Sequence, residues 1–321
     1  MNVAPPHVSV MLRECLEYLA LQPDGVYLDV TCGMGGHSAA IAQQLSTGFV
    51  ISCDRDAESL EKARQNIERN SPECLERILF RNLSFSLVGK ALAVDGTPQL
   101  DTSKEDGARN GPQQRLARAG AGKLQANGLL ADLGVSRYQL TDPQRGFSLM
   151  ADGPLDMRMD RGQGQTAADI VNYASEKELA DLIFHLGEER RSRRIARAIV
   201  RARPVQTTGQ LAKLIESAAP RMGKIHPATQ TFMALRIAVN RENEELDALL
   251  ESLPDLVTPG GRVVFLTFMS IEDRTVKHAF QELERSGKAK ILTRHVVRPT
   301  EEEVRDNPPS RSAKLRALEI V

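Results

Sequence analysis

Short apolar runs alternate with amphipathic stretches over roughly the first third of the chain, a pattern typical of parallel strands joined by helices. The predicted helices cover 9–19, a stretch that opens near Gly36, and 56–69, with a short helical piece at 85–92. The predicted strands are 26–30, 49–54, 78–80 and 128–132. The pattern indicates a doubly wound sheet, in which ligands meet the carboxyl ends of the strands.

Helical patterns dominate the following residues, up to about 253. Ser175 with Glu178, and Thr207 with Gln210, have the spacing of capping boxes at the starts of two helices. A longer apolar register over 227–253 is expected to return the chain to the sheet, with Pro254 closing the helix. The stretch predicts a helical domain inserted into the sheet domain.

Strand character returns near the C-terminus. A glycine turn leads into a predicted strand over 258–268, and a predicted helix covers 270–285. The apolar runs 290–297 and 315–321 have no full-length helix between them, so they are expected to pair antiparallel at one sheet edge. A parallel sheet with such a hairpin is typical of methyltransferases that use S-adenosylmethionine (SAM), and unusual in dehydrogenases.

The segment VYLDVTCGMGGHS, residues 26–38, combines a strand, a tight turn and the start of a helix. Gly33, Gly35 and Gly36 would let a ligand approach the backbone closely, and the helix start offers free N–H groups. The pattern is typical of a cradle for a nucleotide-type cofactor. A plain loop with the same glycines is the alternative.

Acidic residues at strand ends distinguish between two classes of cofactor, dinucleotides and SAM. Asp54 ends the second strand about twenty residues after the glycines, where a carboxylate can bind ribose hydroxyls. A dinucleotide requires a third small residue to seat its pyrophosphate, and the sequence has Ser38 there, preceded by His37. Asp29 would repel a pyrophosphate but could pair with the amino group of SAM. We therefore favour SAM, and expect Asp29, Asp54 and Asp132 to converge on one crevice.

Composition and charge narrow the class of protein further. The 321 residues are 41% hydrophobic and 26% charged, with a net charge of zero, which indicates a globular protein without overall attraction to polyanions. The four cysteines form no CxxC pair, so neither a metal site nor a disulfide framework is expected. With no apolar run of membrane-spanning length and no signal peptide, we expect a cytoplasmic protein without membrane contact.

A local basic surface is predicted in EERRSRRIARAIVRARP, residues 188–204. The predicted core stripe of this helix consists of Ile195, Ala198, Ile199 and Ala202. The arginines that recur on another face are Arg190, Arg194, Arg197 and Arg201. This arginine stripe has the form of a phosphate-binding surface, and a solvated face paired with Glu188 and Glu189 is the alternative.

Residues 93–127 are rich in Gly, Ala, Asp, Gln and Arg and lack sustained periodicity. We interpret them as an exposed, flexible insertion. Its arginines could contact RNA, although a solvated loop is the simpler interpretation.

Several motifs together carry a family resemblance that runs almost from end to end. They are HVSVML, DVTCGMGGHS, DRD at 54–56, DLGVS at 132–136, RGFSLMADGPLDMRMD at 145–160, GEERRSRRIARAIV from 187, HPATQTFMALRIAVN from 226, PGGR from 259 and RSAKLR from 311. With these motifs the chain resembles the RsmH (formerly MraW) family of small-subunit ribosomal RNA cytosine-N4 methyltransferases.

The resemblance implies an α/β fold: a Rossmann-like SAM-dependent methyltransferase domain, with a mostly parallel sheet and an antiparallel edge hairpin, and an inserted helical domain. The implied methyltransferase domain covers 1–138, including the insertion at 93–127, and 239–321. The implied helical domain for substrate recognition covers 139–238. The implied cofactor-binding residues are Gly35, Gly36, His37, Asp54, Phe85, Asp132 and Gln139. Leu83 is the alternative to Phe85 at the position beside adenine.

The implied reaction is SAM-dependent methylation of the exocyclic N4 of a cytosine in the decoding region of small-subunit (16S) ribosomal RNA. Asp132 is the candidate catalytic residue, as an acceptor for an amino proton of the base, and cofactor binding alone is its alternative role. The candidate substrate-binding residues are Arg158, Arg194, Arg197 and Arg201. The implied partner is the small-subunit ribosomal RNA or the small ribosomal subunit, no metal is implied, and a homodimer is left open.

Three positions depart from the family pattern: Arg137 replaces a serine, Thr141 replaces an acid and Met269 replaces a histidine. These changes leave the cofactor motifs intact but bear on the substrate. The alternatives are therefore a SAM-dependent methyltransferase of another RNA or of a protein, and a catalytically silent RNA-binding factor with the same fold.

Overall fold

The computed structural model describes residues 9–92, 124–162, 164–220 and 226–321. His7 and most of the predicted insertion at 93–127 lie outside these residues. The chain divides into two compact units, which we call the sheet unit (up to Gly134, and Glu245–Val321) and the helical unit (Val135–Glu244). The helical unit thus begins before 139 and ends after 238, the bounds expected from the sequence.

The strands of the described chain form one seven-stranded sheet in the order β3-β2-β1-β4-β5-β7-β6. They are β1 (Val26–Asp29), β2 (Phe49–Asp54), β3 (Ile78–Asn82), β4 (Ala126–Asp132), β5 (Val257–Thr267), β6 (Ala289–Ile291) and β7 (Lys314–Ile320). Neighbours among β1–β5 are parallel, whereas β7 is antiparallel to both β5 and β6. The predicted α/β class, with its mostly parallel sheet and antiparallel edge hairpin, is confirmed.

The helices follow the predicted order along the chain. In the sheet unit they are α1 (Leu12–Leu19), α2 (Gly36–Gln44), α3 (Ala57–Asn70), α11 (Ser270–Arg285) and α12 (Glu301–Asp306). In the helical unit they are α4 (Arg137–Thr141), α5 (Ala167–Tyr173), α6 (Glu176–Gly187), α7 (Ser192–Arg201), α8 (Thr208–Ala218) and α9 (Thr229–Asn240). α10 (Glu242–Leu256) carries the chain from the helical unit into the sheet unit.

Several helix predictions need correction. The register over 227–253 is two helices, because Arg241 adopts a left-handed φ of 50° between α9 and α10. Pro254 lies inside α10 and does not end it. Proline cannot donate the backbone hydrogen bond of a helix, and burial of Leu253 and Leu256 offsets the free energy lost with that bond. The short helical piece expected at 85–92 is present, as the 3-10 helix Phe85–Leu92.

The sheet is covered on both faces, as its strand sequences predict. Adjacent residues of one strand point to opposite faces and enter separate cores. One core contains Leu28, Ile51, Leu129 and Phe265, with residues of α10 and α11. The other contains Tyr27, Val50, Leu130 and Val264, with residues of α1 and α2. Near-continuous apolar strands are the consequence of this double burial.

The helical unit has a core of its own. Ser175 and Thr207 cap α6 and α8 through the predicted capping boxes. The buried positions of α7 are Ser192, Ile195, Ala196 and Ile199. They repeat at the helical spacing, whereas Ala202, predicted in the core stripe, is exposed, because it falls at the C-cap of the helix, beyond the buried face.

In the described part of the chain, no helix combines the length and apolar character needed to cross a membrane.

Candidate active site

Strand register brings three carboxylates to one edge of the sheet. Asp29 in β1 lies opposite Ser52 in β2 and Leu130 in β4. Asp54 and Asp132 follow two residues later on those strands, so all three acids lie at the carboxyl ends of the central parallel strands. The strand order reverses between β1 and β4, and open α/β sheets bind ligands at this switch point. The predicted convergence is therefore observed.

Glycines shape the turn between β1 and α2. Gly35 has a φ of +82°, and a side chain there would place Cβ 2.8 Å from Ile67 Cδ1. A Cβ at Gly36 would lie 2.1 Å from Ser9 Oγ. The left-handed backbone of Gly35 favours glycine, Gly36 packs closely against Ser9, and α2 begins directly at this turn. The predicted cradle has the backbone it needs for a cofactor.

Asp54 ties β2 to this turn. Gly33 N donates to Asp54 Oδ2 over 2.9 Å, and Asp56 N donates to Oδ1 over the same distance. Burial raises the pKa of Asp54 to about 7, with neighbouring Asp56 and Asp29 adding to the rise. Each oxygen accepts one backbone hydrogen bond and keeps further acceptor capacity for a ribose diol. Asp56 caps α3, as predicted.

Asp29 is hydrogen-bonded to residues of the turn that follows β1. It is fully buried, and its oxygens accept from Ser38 Oγ at 2.5 Å and from Thr31 N at 3.1 Å. Ser52 Oγ in turn donates to Ser38 Oγ over 2.7 Å. These contacts hold the carboxylate against the turn, and its pairing with the amino group of the cofactor stays a prediction.

Thr31 connects this buried network to the end of β4. Its Oγ1 lies 3.4 Å from Asp29 Oδ1 and accepts a hydrogen bond from Asp132 N at 2.6 Å. Thr31 could not be selected from sequence patterns, since its partner is 101 residues away along the chain. Thr31 thereby fixes the backbone that presents Asp132.

Asp132 combines burial with an unused acceptor. Its Oδ1 is buried and has no hydrogen-bond partner among the described residues, while its side chain as a whole is 25% exposed. Burial is the largest cause that raises its pKa, to about 8, and the negative charges of Asp29 and Glu272 raise it further. A buried carboxylate oxygen without a donor fits a cationic or N–H-bearing ligand.

His37 is the neighbour of Asp132 within the turn. Its ring is buried, which lowers its pKa to about 4, so the imidazole is neutral at pH 7. Nε2 lies 3.1 Å from Val10 O, and Nδ1 lies 3.7 Å from Asp132 Oδ2. Because a carbonyl only accepts, Nε2 carries the proton and Nδ1 presents its lone pair to Asp132.

Phe85 and Leu83 are the two candidates for the position beside adenine. Leu83 is 7% exposed and belongs to a core of the sheet unit, whereas Phe85 is half-buried at the start of the 3-10 helix. Both follow β3, whose Asn82 donates from Nδ2 to Asp54 O over 2.9 Å. The exposure difference favours Phe85 for contact with a ligand.

Gln139 lies in the helical unit, buried within α4. Its Oε1 accepts from Ser136 N over 2.9 Å, and Ser136 Oγ accepts from Gln139 N, which completes a capping box. The structure thus gives Gln139 a structural role, and its contact with a cofactor stays a prediction.

The candidate substrate residues of the helical unit fall into two groups. Arg158 is committed to Asp156, with Nε donating to Oδ1 over 2.7 Å and the second nitrogen to Oδ2 over 3.1 Å. Its predicted clamp on RNA would require this ion pair to be shared or broken. The arginine stripe is exposed: Arg190, Arg194, Arg197 and Arg201 all face solvent.

Among the described residues, Glu189 pairs with Arg191 and not with the stripe. Glu189 is buried and binds Arg191, through Nε at 2.9 Å. Arg197 lies 3.3 Å from Glu176, with both side chains exposed. Within the described ranges, Arg194 and Arg201 form no ion pair. Positive charge is therefore available along α7.

The sheet order, the glycine cradle and the acids at β2 and β4 together define a SAM-dependent methyltransferase of the Rossmann-like class. A family model described as the MraW methylase family matches residues 4–321. The chain belongs to the MraW methylase family.

Relatives with the same printed name match over nearly the full length. "Ribosomal RNA small subunit methyltransferase H" of Solibacter usitatus is 54% identical over 314 residues, covering 98% of this chain and 99% of that protein. The protein of that name from Koribacter versatilis is 45% identical, covering 97% and 93%. That from Acidobacterium capsulatum is 46% identical, covering 98% of each. The predicted family, methyltransferase class and use of SAM are confirmed.

SAM fits the residues at the switch point. The turn at Gly35 leads directly into α2, whose first N–H groups have no partner within the helix. Asp54 supplies acceptors for hydroxyls, and Asp132 supplies a buried acceptor for a cationic or N–H-bearing group. These residues would hold the cofactor, with Phe85 beside its base. Among the described residues, no group of three or more His, Cys, Asp or Glu is placed to hold a metal ion.

Proposed function

We propose that this chain transfers the methyl group of SAM to the exocyclic N4 of a cytosine in small-subunit ribosomal RNA. The printed name of the relatives gives the RNA that those proteins act on. The observation that carries the proposal in this chain is the unpartnered, buried Oδ1 of Asp132 at the carboxyl end of β4.

The reaction needs an acceptor at the amino group. The lone pair of a cytosine amine is delocalised into the ring, so N4 attacks a methyl carbon well only when the nitrogen pyramidalises. A carboxylate that accepts a hydrogen bond from one N–H favours that geometry. As the N4–carbon bond forms and the carbon–sulfur bond breaks, one amino proton must leave, and Asp132 is our candidate to receive it.

The cofactor supplies an electrophilic methyl group on a sulfonium cation. The positive charge of that cation would change the ionisation of Asp132. Without a cation, burial and the neighbouring acids hold the pKa of Asp132 at about 8, so the carboxyl is mostly protonated at neutral pH. A positive charge close by favours the ionised form. Asp132 would therefore become an ionised acceptor only when SAM is bound. Cofactor binding would in this way prepare the carboxylate to accept a hydrogen bond from the amino group of cytosine.

The helical unit supplies a surface for RNA. The arginine stripe of α7 is exposed, and the ten residues of that helix contain no acid. Arginine contacts with phosphate position an RNA without reading its sequence. Selection of one cytosine would then depend on the shape of the RNA and on an unpaired base that can leave its stack.

The test is methyl transfer from labelled SAM to small ribosomal subunits that lack the modification, followed by nucleoside analysis. The expected product is N4-methylcytidine. If 5-methylcytidine or a ribose 2′-O-methyl were the sole product, the N4 assignment would be wrong. If only protein became labelled, the RNA substrate would be wrong as well.

A further inference from the structure

Tyr173 is an unusually exposed aromatic residue in the helical unit. It is the last residue of α5 and is 84% exposed. Its hydroxyl makes no hydrogen bond to the described residues. A single exposed apolar side chain is common on proteins, so exposure alone carries no function. The surroundings of Tyr173 provide the further evidence.

The backbone on both sides of Tyr173 is firmly held. Asn172 Nδ2 donates to Val205 O, and Val205 N donates to Asn172 Oδ1, both over 2.8 Å. Arg203 Nε donates to Val171 O over 2.7 Å, and its second nitrogen donates to Ala174 O. The backbone that carries the ring is therefore held in place, so binding a partner requires ordering of the side chain alone.

The same contacts place Tyr173 beside the arginine stripe. Arg203 lies two residues after Arg201, so its bonds to α5 bring the C-terminal ends of α5 and α7 together. On the other side, Arg197 contacts Glu176 at 3.3 Å. Glu176 follows Tyr173 by three residues, a span of at most about 11 Å. Arg197 and Arg201 therefore belong to the same part of the helical unit as the exposed ring.

We propose that Tyr173, Arg197 and Arg201, which we call the tyrosine–arginine edge, bind an unpaired RNA strand. The tyrosine ring would stack on one base while the two guanidinium groups contact the phosphates next to it. This inference rests on the proposed function, since it takes RNA as the substrate, and it identifies the part of the RNA that the helical unit contacts as single-stranded.

Charge and shape favour a single strand over a duplex or a protein. Stacking on a protruding ring requires a base face that is accessible, and paired bases hide their faces within the helix. Arg201 forms no ion pair in the described part of the chain, so it needs no competing acid to be displaced. Only Arg197 must share its guanidinium with Glu176, and that pair is exposed and weak.

The test is a binding titration without SAM, so that its result does not depend on any methyl transfer. The probes are a labelled, unstructured uridine-rich RNA and the same strand annealed to its complement. Tyr173→Ala is expected to weaken single-strand affinity by roughly 5- to 100-fold, while Tyr173→Phe keeps it. The slope of affinity against salt should stay unchanged, because stacking releases no counterions. Phe184→Ala, at a half-exposed ring on α6, is the matched control and should bind like the parent.

A second variant reports stacking directly. The chain contains no tryptophan, so Tyr173→Trp introduces a single fluorophore at this edge. Its emission should be quenched by the single strand and not by the duplex. Absence of quenching, or unchanged single-strand affinity in Tyr173→Ala, overturns the proposal. If Tyr173→Ala lowers methylation of whole subunits but leaves RNA affinity unchanged, the ring contacts a protein of the particle and the proposal is wrong.

Discussion

His37 Nδ1 lies 3.7 Å from Asp132 Oδ2, and the Val10 carbonyl on the other side of the ring fixes which nitrogen carries the proton. Nδ1 therefore faces the carboxyl group as an acceptor. A protonated Asp132 is stabilised by this lone pair, whereas an ionised Asp132 is repelled by it. The geometry agrees in direction with the raised pKa of Asp132 and the lowered pKa of His37. When Asp132 takes up a proton, the lone pair of His37 Nδ1 therefore faces the protonated carboxyl group.

Cofactor affinity should depend on pH through Asp132. Below a pKa of about 8 the free carboxyl holds a proton, and a sulfonium cation favours its release, so SAM affinity should rise as the pH is raised from 6 to 8. Linkage limits the rise to about tenfold per pH unit for each proton released. Calorimetry in buffers of different ionisation enthalpy would measure both the affinity and the released protons.

S-adenosylhomocysteine is the matched control for this dependence. It has the same amino and carboxyl groups but a neutral sulfur, so its affinity should change less over the same pH range. In Asp132→Asn, the affinities of the two ligands should depend on pH in the same way. The dependence that remains would come from Asp54, whose pKa is about 7 and which would face the ribose of both ligands. Equal pH dependence for both ligands in the parent protein would show that Asp132 does not sense the sulfonium charge.

Thr31 should position Asp132 through its hydroxyl oxygen. Thr31→Val keeps the shape of the side chain but removes the acceptor for Asp132 N, at a cost of about 1–3 kcal/mol in unfolding free energy if no water replaces it. Turnover should fall with little change in affinity for S-adenosylhomocysteine. Thr31→Ser keeps the oxygen and should restore turnover, and urea unfolding would measure the stability difference. Equal turnover of the valine and serine variants would show that the Thr31 hydroxyl does not position Asp132 for the reaction.

The elements of this fold were predictable because their signals are local. A short, nearly continuous apolar run located β2 to the residue, and the spacing of Ser175 and Glu178 located the start of α6. The contact between Thr31 and Asp132 was not predictable, since it joins positions 101 residues apart. The motif at 145–160 likewise suggested Arg158 as an RNA contact, but could not show that a neighbour two residues away, Asp156, holds its guanidinium.

The arginine stripe should contribute affinity through phosphate contacts. Replacing Arg194, Arg197 and Arg201 together with glutamate should weaken RNA binding and reduce the slope of log affinity against log salt, because fewer counterions are released. Affinity for SAM should stay unchanged. Filter binding at several salt concentrations would measure the slope.

A second triple variant separates position from net charge. Arg69, Arg285 and Arg305 are exposed residues of the sheet unit, and changing them to glutamate alters the net charge by the same amount. This variant should keep most of the salt slope. If both triple variants lose RNA affinity equally, the effect is one of overall charge, and the stripe is a solvated face.

Asp132→Asn should separate the two roles of this residue. Asparagine has nearly the same shape, and its carbonyl oxygen still accepts a hydrogen bond, but it carries no charge and cannot receive the amino proton. If Asp132 is the acceptor for N4, single-turnover methylation at saturating SAM should fall by about 100-fold or more, the range expected for loss of a group that transfers a proton. Affinity for S-adenosylhomocysteine should remain within a few-fold of the parent, because its sulfur is neutral and does not interact strongly with the negative charge of Asp132. The pH dependence of the rate should also lose the limb that follows the pKa of Asp132. A parallel loss of affinity for both ligands, with turnover restored by more SAM, would instead assign Asp132 to cofactor binding alone.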